Sequence, residues 1–494
     1  MKVIYRILWA GCIVLMGKSV FAQTFEEYKK RVGQEFEAYK AEEWRKFKEY
    51  RDKVNAEFAE YMRHAWTKRE SEPAIPVPER PEPPKPVVKD PNRQPVPEPL
   101  PFDGVIPLPE VVPPPLPVAP LPDLVAPKKK RPMFSFRFYG TSCRVSLAEE
   151  HRFTLKGVDE NSVADAWTFL SSDTYFPVFV ECVKLRADLQ LCDWGYVRLV
   201  ERMSEAFFPA EQRNEARLLQ MFLLTQSGYK VRIARTDEQL ALLLPSRDEI
   251  YEYSYLNLKG EKYYVVDSAL RQRSFYVFER EFPEEQFFSL QMPFHPLLDV
   301  NPSELRRLTS RHDPDLSAEV AVNRNLIAFY NDYPKSSAWD MYVRASLDEE
   351  VKEVLYPALR KAIAGKSKPE AANVLLHFVQ TAFEYQTDQE QFGVERPLFP
   401  DETLYYPYSD CEDRAILYSV LVRELLELDA VLLHYPNHLA TAVRFDEEVS
   451  GDYFTLDGKH YVVCDPTYIN ADIGEAMPQY KQARAKILRL GGVE

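Results

Sequence analysis

A proline-rich stretch is the feature that most limits how this chain can fold. Prolines dominate residues 71–132, in a sequence with 39 prolines and only 16 glycines. Because proline lacks a backbone N–H and fixes φ, this stretch is expected to form neither helices nor sheet ladders and to favour extended polyproline II. At about 3.1 Å per residue, it could separate its flanking parts by well over ~100 Å. We predict a linker here, with a spanning spacer across a cell-envelope layer as the alternative.

The residues before the linker carry two different signals. Lys2 and Arg6, a short apolar run and Val20-Phe21-Ala22 predict a secretory signal peptide over residues 1–22. We therefore expect an exported protein that is periplasmic, secreted or associated with the cell envelope. Over residues 23–70, aromatic and valine side chains recur every three or four positions, which predicts one long amphipathic helix. Its apolar face either self-associates, binds a partner or docks on its own protein.

Composition excludes some classes of function. A formal net charge of -14 makes a nucleic-acid partner unexpected, because phosphate binding needs a clustered positive field. The 494 residues suggest about two to four domains. Without the signal peptide the chain keeps five cysteines, and an odd number in an exported protein implies at least one free thiol or an intermolecular bridge. No CxxC pair is present, so we expect no metal site, and nothing predicts a cofactor.

Three short motifs after residue 400 suggest the chemistry of a cysteine hydrolase. Cys411 lies between polar residues and a strongly apolar helical pattern, so it is predicted at the first turn of a buried helix. There the helix dipole would lower the pKa of its thiol. His438 and Asp465 are predicted at the ends of neighbouring strands, where a carboxylate can orient an imidazole. Cys464, next to Asp465, is predicted to point into the core.

These motifs match a known superfamily in order and spacing. Asp410-Cys411-Glu-Asp-Arg-Ala, His438-Leu-Ala-Thr-Ala-Val and Asp465-Pro-Thr-Tyr resemble the transglutaminase-like superfamily of papain-type folds. The resemblance covers roughly residues 370–470. It implies an α+β fold, an antiparallel sheet packed on a buried nucleophile helix, and a catalytic triad of Cys411, His438 and Asp465. It leaves the second oxyanion donor open, with Gln380, Tyr405, Tyr406 and Tyr408 as candidates.

Residues 209–270 resemble the same unit with its chemistry lost. A shift of 199 positions, reduced to 198 for the last strand pair, aligns the two segments. The aligned pairs are Gln212 with Cys411, Gln239 with His438 and Asp267 with Asp465. Glutamine can neither form a thiolate nor accept a proton at neutral pH. We predict a degenerate domain without activity over residues 133–295 and a catalytic domain over residues 296–494; chance similarity between generic α+β sequences is the alternative.

The function expected from these patterns is an exported cysteine hydrolase. It would act on peptide or glutamine amide bonds through a thioester acyl-enzyme, with a peptide or protein as substrate and a cell-envelope component as a second candidate partner. Cross-linking would result if a lysine amine replaced water, and an envelope peptide amidase is a further variant. The alternative from another class is a scaffold or binding protein with a relic triad, since each of the three residues taken singly has an ordinary structural interpretation.

Overall fold

Two six-stranded sheets, one in each half of the chain, organise the fold. The structure is a computed structural model, and it describes residues 25–78, 83, 85–92, 96–106, 132–267, 270, 274–292, 294–336 and 340–490. The predicted signal peptide and the linker residues 107–131 lie outside these ranges. The protein is of mixed α+β type with mainly antiparallel pairing, which confirms the predicted class. Within the described ranges, no helix combines the length and apolarity needed to cross a membrane.

Both halves of the chain contain helices and strands in mixed order. The first half contains α1 (Phe25–Met62), β1 (Thr67–Glu70), β2 (Val87–Val88), β3 (Phe102–Ile106), β4 (Phe134–Phe138), β5 (Thr141–Val145), α2 (Glu160–Leu170), α3 (Phe176–Asp188), α4 (Asp193–Phe207), α5 (Arg213–Gln226), β6 (Arg232–Arg235), β7 (Leu240–Pro245), β8 (Tyr255–Leu258), β9 (Glu261–Val265) and β10 (Ser274–Phe278). The second half contains β11 (Arg306–Thr309), β12 (Ser317–Val320), α6 (Arg324–Asn331), α7 (Asp340–Arg344), α8 (Glu349–Ile363), α9 (Lys368–Thr381), β13 (Glu384–Tyr385), α10 (Asp388–Phe392), α11 (Pro400–Tyr405), β14 (Tyr408–Ser409), α12 (Cys411–Leu426), β15 (Asp429–Tyr435), β16 (His438–Arg444), β17 (Tyr453–Leu456), β18 (Lys459–Cys464), β19 (Tyr468–Ile469) and β20 (Ala485–Arg489).

The two large sheets have the same strand order. The upstream order is β1-β10-β6-β7-β9-β8, and the downstream order is β3-β20-β15-β16-β18-β17. The registers also agree: Ile233 lies opposite Leu242 in the upstream sheet, and Leu432 lies opposite Thr441 in the downstream sheet. The pairs β7–β9 and β16–β18 correspond in the same way once the last strand is shifted by 198. This agreement supports the predicted internal repeat.

One apolar cluster connects the two halves. It extends from Phe58 in α1 to Leu490 after β20 and includes buried residues of α5 and α12. The opposite face of each sheet carries its own smaller cluster. The main core therefore crosses the boundary predicted between residues 295 and 296.

Helix α1 ends earlier than predicted. Its last residue is Met62, whose carbonyl accepts a hydrogen bond from the indole N–H of Trp66 at 2.9 Å. The predicted helical residues 67–70 instead form β1, which pairs antiparallel with β10 at the edge of the upstream sheet. The buried Trp66 side chain thus replaces the next helical turn and turns the chain into the sheet.

The second part of α1 docks on its own protein. The Phe58 ring lies 5.1 Å from Trp167, 5.0 Å from Phe278 and 4.9 Å from Phe282 between ring centroids. Asn55 is also buried and donates to the amide oxygen of Gln226 at 3.0 Å. These contacts show that the C-terminal half of the predicted partner-binding face serves as part of the core.

The prediction that residues 71–132 form no ladders is wrong for two short segments. Strand β2 pairs in parallel with β19, and β3 pairs in parallel with β20 at the edge of the downstream sheet. Both strands fall in proline-free stretches at sheet edges, where nearby prolines remove no ladder bond. Residues 67–106, here called the crossing segment, therefore supply the outer strand of both large sheets.

Candidate active site

The start of α12 positions Cys411. The Asp413 carboxylate accepts hydrogen bonds from the Asp410 N–H at 3.1 Å and from the Leu398 N–H at 2.9 Å, which ties the first turn to the preceding loop. Most of the helix is buried, and it packs on β15, β16 and α9. The predicted position of Cys411 in the first turn of a buried helix is confirmed.

The predicted lowering of the Cys411 pKa is wrong. The side chain is only 2% exposed, and its sulfur lies 3.0 Å from Oε2 of Glu412. Burial, followed by the negative charges of Glu412 and Asp410, raises the pKa of the Cys411 thiol well above its ordinary value. A hydrogen bond from the Leu439 N–H to the sulfur acts in the opposite direction but is weaker. Burial and adjacent carboxylates thus act against the lowering expected at a helix N-terminus.

His438 and Asp465 form the predicted pair. The distance from Nε2 of His438 to Oδ2 of Asp465 is 2.8 Å, and both side chains are buried. The other oxygen of Asp465 accepts the Thr467 N–H at 2.9 Å, so the carboxylate is held on two sides. The imidazole stacks on the Tyr480 ring at 4.8 Å between centroids. Its Nδ1 is buried with no hydrogen-bond partner among the described residues, which leaves this nitrogen available for a proton.

Cys411 and His438 line one narrow cleft. Its walls also include Glu412, Asn437 and Leu439, and Pro83 of the crossing segment; the remaining lining residues are Glu395, His434, Tyr435 and Pro436. The cleft has a volume of only ≈ 10 Å³, about the space for one water molecule. The structure thus brings the predicted nucleophile and base to one site, and a proline from the predicted linker covers part of it.

The prediction of Gln380 as an oxyanion donor is wrong. Its buried side-chain amide donates to the carbonyl oxygens of Tyr468 at 2.8 Å, Ala471 at 2.9 Å and Asp465 at 3.3 Å. Its Oε1 accepts the Asn470 N–H at 3.2 Å. Gln380 therefore braces the loop that carries Asp465 and has no donor left for a substrate.

The three tyrosine candidates also lie away from the cleft lining. Tyr406 donates to Asn331 at 3.1 Å, Tyr405 packs edge-on against Tyr406, and Tyr408 is 38% exposed. Asn437, which is not among the predicted oxyanion donors, is better placed for that role. Asn437 lines the cleft, and its Oδ1 accepts the Tyr480 hydroxyl at 3.0 Å, a contact that does not use the N–H donors of its amide. Its position next to His438 was the only sequence signal for it.

A group of five acidic residues lies beside Cys411 and could hold a cation. In overlapping sets of three, their oxygens lie within 4.8 Å of one another. The five are Asp388, Glu395, Asp410, Glu412 and Asp413. Both Asp410 carboxylate oxygens are buried without a hydrogen-bond partner in the described structure. Burial raises the pKa of Asp388 and Asp410 well above the ordinary value and that of Asp413 to about 7. Carboxylates in this density are ligands that Ca²⁺ accepts. The sequence predicted no metal site because Asp388 and Glu395 come from a separate segment.

The upstream residues aligned with Cys411, His438 and Asp465 do not form the same arrangement of side chains. Gln212 turns away and donates to the carbonyl of Phe153 at 3.4 Å and to the Thr154 hydroxyl at 3.2 Å. Gln239 occupies the same place in its strand pair as His438 does downstream, since its carbonyl accepts the Thr236 N–H at 2.8 Å. Asp267 is paired with Arg217 at 3.0 Å instead of an imidazole. The upstream half therefore has neither a thiol at the position of Cys411 nor an imidazole at the position of His438.

The cysteines agree with the expectation of free thiols. Cys143, Cys182, Cys192, Cys411 and Cys464 form no disulfide with one another. Cys464 is fully buried in the core, as predicted. Comparison with known proteins identifies no relative: no protein-family model, no curated protein and no solved structure gives a significant match to this chain.

Proposed function

We propose that this chain is an exported transglutaminase-like cysteine hydrolase that cleaves peptide or glutamine amide bonds. The observation that carries the proposal is the orientation of His438. Its Nε2 is bound to Asp465, while its buried Nδ1 has no hydrogen-bond partner among the described residues and the ring lines the same cleft as Cys411. A base held in this way is what a cysteine nucleophile requires.

The proposed reaction begins with transfer of the Cys411 thiol proton to Nδ1 of His438. The sulfur then forms a bond to the amide carbonyl carbon, and the C–N bond breaks as His438 returns the proton to the leaving amine. Water, deprotonated by His438, attacks the resulting thioester and releases the carboxylic acid and the free thiol. Asp465 holds the imidazole and stabilises its protonated form. The Cys411 N–H and the Asn437 amide are the proposed oxyanion donors.

A second function is favoured by the closed cleft. Pro83 lines it, its volume is ≈ 10 Å³, and the pKa of Cys411 is raised by burial and by Glu412. These features suit a binding protein with a relic triad. They also suit a hydrolase in which the crossing segment must move before a substrate enters.

Turnover of a library of short glutamine-containing peptides by the full mature chain distinguishes the two functions. For a hydrolase, Cys411→Ala and His438→Ala should each reduce the rate by more than about 10³-fold, because a triad acts as a unit. Gln212→Ala, the matched change in the upstream half, should leave the rate unchanged. Products joined through a lysine amine instead of water would identify cross-linking. Absence of turnover in the parent chain, with no thioester trapped at Cys411 by mass spectrometry, would leave the binding protein as the function.

A further inference from the structure

The upstream half contains a much larger cavity than the candidate active site. Its volume is ≈ 280 Å³, compared with ≈ 10 Å³ for the downstream cleft. It lies between α4, the first turns of α5, the start of β7 and the end of β9, and both Gln239 and Asp267 line it. This volume is just below the range of roughly 300–1,000 Å³ found for small-molecule sites. The cavity therefore includes the positions aligned with His438 and Asp465, whereas Gln212, aligned with Cys411, is not part of its lining.

The inner wall of the cavity is a fixed polar network centred on Arg217. Its guanidinium bonds to Gln220 at 2.6 Å, to Asp267 at 3.0 Å and to Glu201 at 3.4 Å, and its side chain is only 10% exposed. The aligned downstream residue is Ile416, which is fully buried. A guanidinium with three acceptors is held in one geometry, so this wall is preorganised.

Two opposite charges of the lining remain unpaired. Arg213 and Glu205 are both exposed, and neither forms a hydrogen bond or ion pair within the described ranges. Partial burial and, next, the like charge of Glu201 raise the pKa of Glu205; the charges of Arg217, Arg198 and Arg202 act in the opposite direction without cancelling this rise. A ligand ammonium would relieve that repulsion, and Arg213 offers a planar pair of donors that fits a carboxylate. Neutral amides of Gln239 and Gln220 also line the cavity.

We propose that this cavity binds a small zwitterion, an amino acid or short peptide with free termini, with Glu205 contacting its ammonium group and Arg213 its carboxylate. The site has no nucleophile in the aligned positions, so it binds this ligand without transforming it. The proposal does not depend on Cys411 being active.

Calorimetric titration of the full mature chain carrying Cys411→Ala, with tri-alanine as the probe, tests the site. We expect saturable binding that weakens by about five- to tenfold in Glu205→Gln and in Arg213→Gln, the loss expected for one charge-assisted hydrogen bond. N-acetylated tri-alanine should lose the contribution of Glu205, and tri-alanine amide should lose that of Arg213. Glu211→Gln and Arg324→Gln, exposed residues outside the lining, serve as controls that should bind as the parent does.

Three results would overturn the proposal. The first is no saturable heat up to about 10 mM peptide. The second is equal binding of the free and both blocked peptides. The third is loss of binding in His438→Ala, which would locate the peptide in the downstream cleft. A thermal-unfolding scan of each variant identifies any that fail to fold. For those, Glu205→Asp and Arg213→Lys replace the glutamine changes and should give an intermediate loss of affinity.

Discussion

The upstream and downstream sheets share their strand order and the register of their central strands but differ in what they hold. Downstream, a strand imidazole holds Asp465 beside a buried thiol in a narrow cleft. Upstream, a helix guanidinium, Arg217, holds the aligned Asp267 beside an open polar cavity. An aspartate stands at the aligned position in both sheets, but the side chain that pairs with it comes from a strand downstream and from a helix upstream. The comparison teaches that the framework of helix and sheet is stabilised by packing and does not require the arrangement of Cys411, His438 and Asp465.

The largest expected effect on stability comes from two separate variants in which each of the aligned residues Ile416 and Arg217 is replaced by the residue at the other position. Ile416→Arg places an unpaired charge in a fully buried site and should reduce the free energy of unfolding by about 4 kcal/mol or more. Arg217→Ile leaves Asp267 without its cation at a partly exposed site and should cost about 1–2 kcal/mol. Urea unfolding measures both. Equal losses would contradict the inference that the two walls are built differently.

Removing the brace of the downstream acid should have the next largest effect. Gln380→Ala leaves the carbonyl oxygens of Tyr468 and Ala471 without a donor in a buried site, which should cost about 2 kcal/mol. It should also reduce turnover because the Asp465 loop shifts. Tyr408→Ala, at an exposed position, should change the free energy of unfolding and the activation free energy of turnover by no more than about 0.5 kcal/mol each. If Tyr408→Ala reduced turnover and Gln380→Ala did not, the conclusion that Tyr408 lies away from the candidate active site would be wrong.

Calcium should stabilise the protein through the acidic group of the downstream half. Arg213 and Asn214 stand at the upstream positions aligned with Glu412 and Asp413, and in this turn only Glu211, aligned with Asp410, is acidic, so the acidic group is not reproduced upstream. Addition of CaCl₂ after removal of metals with EDTA should raise Tm by a few degrees, equivalent to about 1–2 kcal/mol of binding energy. The shift should disappear in Asp388→Asn and persist in Asp267→Asn. An unchanged Tm in the parent would exclude calcium as the counter-charge.

The smallest expected effect concerns the crossing segment over the downstream cleft. Lys89 bonds to Glu475 at 2.7 Å and holds this segment on the sheet. Lys89→Glu should increase the rate of Cys411 alkylation by iodoacetamide about two- to fivefold, since a partly exposed ion pair contributes at most about 1 kcal/mol. Lys85→Glu, an exposed change nearby, is the control. Faster alkylation in both variants would indicate a general charge effect instead of release of the segment.

The parts of the fold that follow from local patterns could be predicted from the sequence. Cys411 at a helix start, His438 at a strand start and the offset between the repeats depend on apolar periodicity and motif order, and the structure agrees with them. The crossing segment could not be predicted, because its strands are short and their partners are hundreds of residues away. The role of Gln380 and the proximity of Asp388 to Asp410 depend on the same long-range contacts. The Cys411 pKa was predicted in the wrong direction because burial is a property of the whole fold.

The pairing of β3 with β20 also affects how the protein is made. Asp103, in β3, and Arg484, just before β20, form an ion pair although 381 residues separate them. During synthesis β3 therefore leaves the ribosome long before its neighbour exists. Until the last strand emerges, the backbone groups of β3 remain unpaired and can associate with another chain. Completion of the downstream sheet is thus a late and slow step, and a fragment starting after residue 106 would expose the β20 edge permanently.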